Sequence, residues 1–273
     1  MKPVEKNGDR WYHYGAMDSM MKAEVDISAT PADLAMALAQ RVAAVATAAV
    51  RARGRFMVAI PGGSVLTLLA QGLREMAIDA AHWHVCWTDE RAVPADDDHS
   101  NFREAGERFL PLLQLPASQL HPIQGGLGPD AAALQYQEEL QQLFNPAPGA
   151  PPRFDLILLG VGEDGHVASL FPENPALLET QRWAVGVRHA PKPPPERISL
   201  TLPVLNQARH VIVAAAGTGK ADIIAQVFAT RASPPLPVQS LHPRNGDVCW
   251  MLERAAAAKL LPRPLPRSAH EPG

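Results

Sequence analysis

The most informative stretch of this chain is FDLILLGVGEDGHVASLFP, residues 154–172. Its apolar run, Leu156–Leu159, has the length and composition of a strand that is buried on both faces of a parallel sheet. Gly160 and Gly162 end the run, and Asp-Gly-His follows at 164–166. Open α/β sheets bind ligands where their strands end, so this stretch predicts a functional loop. The alternative is a tight Asp-Gly turn beside a surface histidine.

Composition excludes several classes of protein. The chain has 273 residues, 47% of them hydrophobic, enough for one large domain or two modest ones. Its net charge of −3 offers no basic field for nucleic acid. Cys86 and Cys249 lie in apolar runs and are predicted to be buried core residues of a reducing compartment. Without a signal-like apolar N-terminus or a run of about 18 apolar residues, we expect a cytoplasmic protein that spans no membrane.

Predicted strands and helices alternate along the chain, a pattern typical of a parallel sheet covered by helices. Thr30 precedes Pro31 as a predicted N-cap for a helix that ends near Arg53. The predicted strands comprise residues 56–60, 82–88, 156–159, 183–187, 197–201, 210–216 and 248–252. The predicted helices comprise residues 31–53, 65–76, a segment starting near 101, 130–144, a segment from the Gly217 loop to about 230, and 255–259.

The domain organisation follows from the same pattern. Residues 25–261 are predicted to form a single α/β domain, because the proline-rich segment 145–153 leads directly into the central strand. Residues 1–24 are predicted to be a flexible extension. Residues 262–273 are polar and proline-rich, so we predict a disordered tail.

A glycine loop with Gly62, Gly63 and Ser64 follows the predicted strand 56–60. Its backbone N–H groups and the following helix N-terminus could bind an anion such as phosphate. Two glycines between a strand and a helix are more often simple turn residues. The spacing matches neither the dinucleotide fingerprint nor the P-loop. Lys220 lies near another helix start, where a bound anion would offset its charge, although a solvated lysine is the simpler explanation.

Two further loops carry charge. Asp89-Glu90-Arg91 ends an apolar strand, with Asn101 ten residues beyond Arg91 and Ser100 as a candidate N-cap. Charges at that place must be solvated, paired or bound to a ligand, and the guanidinium fork of Arg91 suits phosphate. Lys192 and Arg197 flank a stiff proline loop. We expect the glycine loop, these two charged loops and the Asp-Gly-His loop to lie at the ends of different strands of one sheet and to form one site.

The quoted stretch, together with PGGS at 61–64, TDERAVPADDDHSNFREA at 88–105 and APKPPPERISLTLPVLNQARHVIVAAAGTGKADII at 190–224, resembles the 6-phosphogluconolactonase family. This family is related in fold to glucosamine-6-phosphate deaminase/isomerase, and the similarity extends from about residue 32 to residue 257. The resemblance implies a Rossmann-like three-layer αβα fold with a mostly parallel central sheet that binds no nucleotide. It also implies hydrolysis of 6-phospho-D-glucono-1,5-lactone in the pentose phosphate pathway, without metal or cofactor.

The resemblance also implies roles for particular residues. His166 would be the general base that activates water, and Asp164 would orient it. The residues implied to contact the substrate are Gly62, Gly63, Ser64, Arg91, Asn101, Arg197 and Lys220. Which cation binds the phosphate and which stabilises the oxyanion stays open. The chain departs from the family pattern at Val65 and Glu163, where proline is common, and neither change removes a functional atom.

Two alternatives stay open. The related deaminase/isomerase has a loop resembling AFNEP after Asp-Gly-His, with a glutamate that is absent from Ser169-Leu-Phe-Pro here. A non-catalytic sugar-phosphate sensor would keep the phosphate-binding groups but would not need His166. For partners, the sequence predicts a phosphorylated sugar lactone and a monomer or weak homo-oligomer, with neither nucleic acid nor membrane.

Overall fold

The computed structural model describes residues 3–6, 9–13, 23–147, 149–229 and 234–260. Twelve strands lie within these residues: β1 Pro3–Lys6, β2 Asp9–His13, β3 Ala23–Ser28, β4 Phe56–Ile60, β5 Trp83–Trp87, β6 Asp89–Arg91, β7 Leu120–His121, β8 Leu156–Leu159, β9 Ala184–Val187, β10 Arg197–Leu200, β11 His210–Ala215 and β12 Asp247–Glu253. Seven α-helices alternate with them: α1 Pro31–Arg53, α2 Gly63–Arg74, α3 Asn101–Arg108, α4 Leu110–Leu113, α5 Pro129–Phe144, α6 Leu202–Leu205 and α7 Ala221–Phe228.

The main sheet has the strand order β1-β2-β3-β12-β11-β8-β4-β5-β7. The seven strands from β3 to β7 in this order are all parallel, while β1 and β2 add antiparallel strands at one edge. Strand β8 is fully buried and lies centrally, with β11 on one side and β4 on the other. Helices cover both faces. This confirms the predicted three-layer α/β fold with a mostly parallel central sheet.

A second, antiparallel sheet has the order β6-β10-β9. Arg197 on β10 pairs with Arg91 on β6, and β9 lies on the other side of β10. Our expectation that the four loops lie at the ends of strands of one sheet is therefore wrong for the loop with Arg197. Asp89–Arg91, which we expected to be a loop, is also a strand of this second sheet. The alternating residues of β10 predicted a strand correctly, but they carry no information about which sheet it joins.

Helix α5 links the two sheets. The hydroxyl of Tyr136 on α5 bonds to both the backbone N–H and the carbonyl of Trp87 in β5, at 3.0 and 2.8 Å. At the start of α5, Asp130 and Pro129 lie directly against Gly186 of β9. A Cβ atom at Gly186 would lie 2.5 Å from Oδ1 of Asp130, so only glycine allows this close packing.

Helix α1 begins and ends as the sequence predicts. Thr30 and Asp33 form a reciprocal capping box at its start, and Gly54 at its end has a positive φ of 74°. Among the described helices, α1 has the length and composition to cross a membrane, features that core helices share. Seven of its side chains are buried in the domain: Leu34, Ala35, Leu38, Ala39, Val42, Ala46 and Ala49.

The other sequence predictions have different outcomes. The predicted helix over residues 255–259 is wrong, because that segment forms hydrogen-bonded turns. Strand Ala23–Ser28 was not predicted, although it pairs with both β12 and β2. Cys86 and Cys249 are buried free thiols, as predicted. The predicted tail, residues 262–273, lies outside the described residues, and flexibility of residues 1–24 stays a prediction.

Candidate active site

The loop after β8 holds an aspartate and a histidine in direct contact. Nδ1 of His166 lies 2.5 Å from Oδ1 of Asp164, and the same oxygen accepts the backbone N–H of His166 at 3.2 Å. Burial by itself would raise the pKa of Asp164, but the hydrogen bonds and charge of His166 outweigh it and lower the pKa to about 2. The carboxylate is thus ionised at neutral pH, and an ionised carboxylate only accepts hydrogen bonds. Nδ1 therefore carries the proton of the contact.

Glycines shape this loop. A Cβ atom at Gly162 would lie 2.0 Å from Nδ1 of His166 and 2.5 Å from Oδ1 of Asp164. Gly165 has a φ of 81°, which favours glycine, and its N–H closes a turn onto the carbonyl of Gly162 at 3.0 Å. The turn predicted as the alternative thus exists, but its histidine is mostly buried: the side chain is only 18% exposed. The loop fixes the imidazole rather than leaving it on the surface.

The glycine loop after β4 lies against Asn101. Gly62 is the N-cap of α2, and a Cβ atom there would lie 2.0 Å from Oδ1 of Asn101. Asn101 is 1% exposed, and its Nδ2 donates to the carbonyl of Asp89 at 2.9 Å. Its Oδ1 is buried without a hydrogen-bond partner. Two of the predicted substrate contacts, from segments about 40 residues apart, thus meet directly.

The other residues of this loop are placed differently. The N–H of Gly63 donates to Oε2 of Glu104 on α3 at 2.7 Å, so a carboxylate already lies at this helix N-terminus. Arg108 donates to the other oxygen of Glu104 at 3.2 Å. Ser64 is exposed in the first turn of α2. The glycine pattern in the sequence predicts the anion-favouring character of Gly63 but not its partner Glu104.

The acidic residues of the Asp89-Glu90-Arg91 segment are bonded within the protein. Glu90 is 1% exposed and accepts backbone N–H groups from Asn101 at 2.7 Å and from Phe102 and Arg91 at 2.8 Å. Burial raises the pKa of Glu90, against these hydrogen bonds. Asp89 accepts the hydroxyl of Ser169 at 2.7 Å. Both carboxylates therefore fix neighbouring segments: Glu90 holds the start of α3, and Asp89 holds the loop that carries His166.

The two predicted arginines are neighbours across the β6–β10 pair. Arg91 donates from Nη1 to the carbonyl of His99, while its Nε is buried without a partner. Arg197 is 6% exposed and donates from Nε to the carbonyl of Pro194 at 3.1 Å. Its Nη2 donates to the carbonyls of Lys192 and Pro193, at 3.1 and 3.2 Å.

A buried phenylalanine, Phe171, lies between His166 and Arg197. The ring centroid of Phe171 is 4.5 Å from that of His166, and Cζ of Arg197 lies 5.8 Å from the same phenyl ring. Phe171 is 2% exposed and packs with Val185, Val187 and Ala190. The sequence offers Phe171 only as an apolar residue of the quoted stretch, so its contact with the histidine could not be anticipated.

Lys220 contacts the loop that follows β8. Its Nζ donates to the carbonyl of Val161 at 2.9 Å. Burial lowers the pKa of Lys220, and the charge of Glu163 opposes that shift while the charge of Lys192 adds to it. The short 3₁₀ helix Thr218–Lys220 leads into α7, which places this lysine at a helix start as predicted.

A continuous set of contacts therefore joins most of the predicted site residues. Gly62 meets Asn101, Asn101 binds Asp89, and Asp89 binds Ser169 in the loop of His166. Arg91 joins this set through Glu90, Arg197 through Phe171 and Lys220 through Val161. The predicted residues outside it are Gly63 and Ser64. A cavity of about 430 Å³ lies elsewhere, at the edge of β9, and none of the predicted site residues lines it.

Comparison with known proteins decides the family. The sequence model described as glucosamine-6-phosphate isomerases/6-phosphogluconolactonase matches residues 29–250, which is most of the chain. The chain belongs to this family. The 6-phosphogluconolactonase of Homo sapiens, a member of the family by its name, is 38% identical over 242 residues, covering 86% of this chain and 93% of that protein. The 6-phosphogluconolactonase of Mycobacterium leprae is 39% identical over 248 residues, covering 88% and 99%.

Solved structures agree with the family fold. The 6-phosphogluconolactonase from Trypanosoma cruzi superposes with a TM-score of 0.78 and 27% identity, covering 89% of this chain and 99% of that one. A monomeric glucosamine-6-phosphate deaminase superposes with a TM-score of 0.69 over 86% of this chain and 99% of that one. Because its identity is only 17%, that likeness concerns the fold alone.

Proposed function

We propose that this protein hydrolyses 6-phospho-D-glucono-1,5-lactone to 6-phospho-D-gluconate, a reaction of the pentose phosphate pathway. The curated relatives that are named 6-phosphogluconolactonase match nearly their whole length to this chain. The single observation that carries the proposal is the contact between His166 and Asp164 at the carboxyl end of the central strand. A δ-lactone is an activated ester, so a positioned water and one general base suffice for its hydrolysis.

The proposed general base is Nε2 of His166. Because Nδ1–H donates a hydrogen bond to ionised Asp164, the lone pair of the neutral imidazole is on Nε2. Nε2 takes a proton from water as the water oxygen attacks the lactone carbonyl. The tetrahedral intermediate then collapses, the bond between the carbonyl carbon and the ring oxygen breaks, and the ring oxygen takes the proton back from Nε2, which restores the neutral imidazole. General-base assistance of this kind typically contributes about 10² to 10⁴ in rate.

The cations proposed to bind the substrate are Arg91 and Lys220. The buried, unpartnered Nε of Arg91 supports a role for that guanidinium in binding an anion. The position of Lys220, bonded to Val161 in the β8 loop, supports a role beside the reacting ring. Positive groups near a developing oxyanion typically contribute about 3 kcal/mol. We also propose a hydrogen bond between the substrate and Oδ1 of Asn101, the unpartnered oxygen beside Gly62.

Hydrolysis of a lactone consumes only water, so we propose that the reaction needs no cofactor. We also propose a cytoplasmic protein, monomeric or weakly self-associating, that has neither nucleic acid nor membrane as a partner. The net charge of −3 supports the absence of a nucleic-acid partner.

The second candidate function is that of the isomerase/deaminase branch, because the family description includes it. It would need a carboxylate in the Ser169-Leu-Phe-Pro segment, and here the ring of Phe171 packs against His166 instead. A turnover assay separates the candidates. Its substrates are 6-phosphogluconolactone, the unphosphorylated lactone and glucosamine 6-phosphate, each compared with the spontaneous reaction at controlled pH.

The proposed function predicts an excess rate with the phosphorylated lactone and none with glucosamine 6-phosphate. Turnover of glucosamine 6-phosphate alone would favour the second candidate. Binding of 6-phosphogluconate without any turnover would favour a sugar-phosphate sensor.

A further inference from the structure

The guanidinium of Arg197 donates hydrogen bonds to one loop. Three of its hydrogen bonds go to consecutive backbone carbonyls, those of Lys192, Pro193 and Pro194. The prolines of this loop have no N–H groups, so the loop can make few backbone hydrogen bonds of its own. The bonds from Arg197 therefore supply much of what fixes its path.

The charge of Arg197 is partly offset within the protein. The residue is 6% exposed, and burial lowers its pKa; the charges of the buried carboxylates Asp89 and Glu90 oppose that shift, while the charge of Arg91 adds to it. The three carbonyls that accept from Arg197 and these two carboxylates thus stabilise the guanidinium inside the protein. This differs from Arg91, whose Nε has no partner.

Arg197 contacts two elements that lie next to proposed site residues. The loop that it holds carries Lys192, an exposed residue whose charge acts on Lys220. The phenyl ring that lies 5.8 Å from its Cζ belongs to Phe171, which in turn packs against the imidazole of His166. Arg197 thus contacts both the loop that carries Lys192 and the phenyl ring that packs against His166.

We infer that Arg197 is a positioning residue, which presents Lys192 to the substrate phosphate and holds Phe171 against His166, and is not itself a phosphate ligand. This inference rests on the proposed lactonase function for the identity of the anion. It replaces the direct substrate contact that sequence resemblance implies for Arg197, and it adds Lys192 to the phosphate-binding cations.

Lysine could not perform this role. Its single ammonium group is a point charge, whereas the planar guanidinium bonds three carbonyls and faces an aromatic ring at once. A direct phosphate ligand would behave differently, because lysine there would keep the charge and much of the attraction. The Arg197→Lys variant thus distinguishes the two roles. It also keeps the buried positive charge, which Arg197→Gln would remove.

The first test is a double-mutant cycle on binding of 6-phosphogluconate, measured by calorimetry at fixed ionic strength. The variants are Arg197→Lys, Lys192→Gln and their combination. We expect each single change to weaken binding by roughly tenfold, and Arg197→Lys to change it by less than about twofold once Lys192 is replaced. Additive losses would overturn the inference, since they would mean that Arg197 contacts the phosphate itself. Arg188→Gln, an arginine just after β9 that pairs with Asp130, is the matched control.

The second test needs no substrate, so it separates failure of this inference from failure of the proposed function. The imidazole protons of His166, assigned by their loss in His166→Asn, lie in the ring-current field of Phe171 in the free protein. We expect their NMR resonances to shift in both Phe171→Leu and Arg197→Lys, and to stay in place in Arg188→Gln. Unchanged His166 resonances in Arg197→Lys would overturn the inference, whatever the protein binds.

Discussion

Nδ1 of His166 and Oδ1 of Asp164 lie 2.5 Å apart, in a loop that begins where the central strand ends. The chain makes this contact within two residues because Gly162 leaves room for the imidazole and Gly165 takes a positive φ. The carboxylate thereby determines which ring nitrogen carries the proton. The contact is local in sequence, whereas the cations that we propose to bind the substrate come from distant segments.

Asp164→Asn should lower kcat by about 10² to 10⁴ with a smaller change in KM, because an amide no longer fixes the imidazole tautomer. The pKa of Asp164 is lowered from 3.8 to about 2, so this carboxylate stabilises the fold fully above about pH 4. Its contribution is lost as the pH falls from about 4 to 2. Acid denaturation of wild type and variant, followed by circular dichroism, should therefore differ in slope in that window. Equal slopes and equal kcat would remove Asp164 from the proposed site.

Gly62→Ala should reduce both activity and stability, because its Cβ atom would lie 2.0 Å from Oδ1 of buried Asn101. Overpacking of this kind typically costs about 1 to 3 kcal/mol of unfolding free energy. Gly106→Ala is the matched control, since open space surrounds that position in helix α3. There, alanine should stabilise the helix by about 0.5 to 1 kcal/mol. Chemical denaturation of both variants measures the difference, and equal midpoints would contradict the close contact at Gly62.

Glu90→Gln should destabilise the fold by about 1 to 3 kcal/mol at neutral pH, because the amide would point N–H donors at the backbone donors that Glu90 now accepts. Burial raises the pKa of Glu90, so this carboxyl group favours the fold most at acidic pH and less as the pH rises through its folded-state pKa. The variant should lose that pH dependence. Glu107→Gln, an exposed change on helix α3, whose first residues Glu90 bonds, should stay within about 0.5 kcal/mol of wild type. Urea denaturation at several pH values checks both expectations.

Lys220→Ala and Arg91→Ala should each weaken binding of 6-phosphogluconate, and more at low salt, where charges are less screened. Lys220 contacts the β8 loop through Val161, and Arg91 keeps an unpartnered Nε. Calorimetric titrations at two ionic strengths provide the measurement. Binding isotherms that match wild type at both salts would show that these cations lie outside the anion site.

The fold class was predictable because it depends on local patterns. Fully apolar Leu156–Leu159 predicts a central strand, and Thr30 with Gly54 predicts the start and end of the first helix. The alternation of apolar and polar residues in Ala23–Ser28 is also typical of a strand, although we did not predict one there. Sheet membership was not predictable in this way. Arg197–Leu200 reads as a strand in either sheet, and only long-range pairing places it beside Asp89–Arg91.

The positions of the candidate site residues were predictable at the level of loops, but their hydrogen-bond and packing partners were not. Glycines and charged residues after strands identified Gly62, Asp164 and His166 correctly as neighbours of the strand ends. The carboxylate of Glu104 at Gly63 and the ring of Phe171 against His166 depend on tertiary packing, for which a single sequence has no spacing rule. Burial decides which charges remain available to a ligand, and burial is a property of the folded chain.

The most direct test is steady-state hydrolysis of 6-phospho-D-glucono-1,5-lactone by wild type and His166→Asn, at controlled pH and corrected for spontaneous ring opening. Circular dichroism of the variant confirms that it is folded. A wild-type rate well above background that falls by about 10² to 10⁴ in His166→Asn is the predicted result. An equal excess rate in both proteins would contradict the assignment of His166 as the general base.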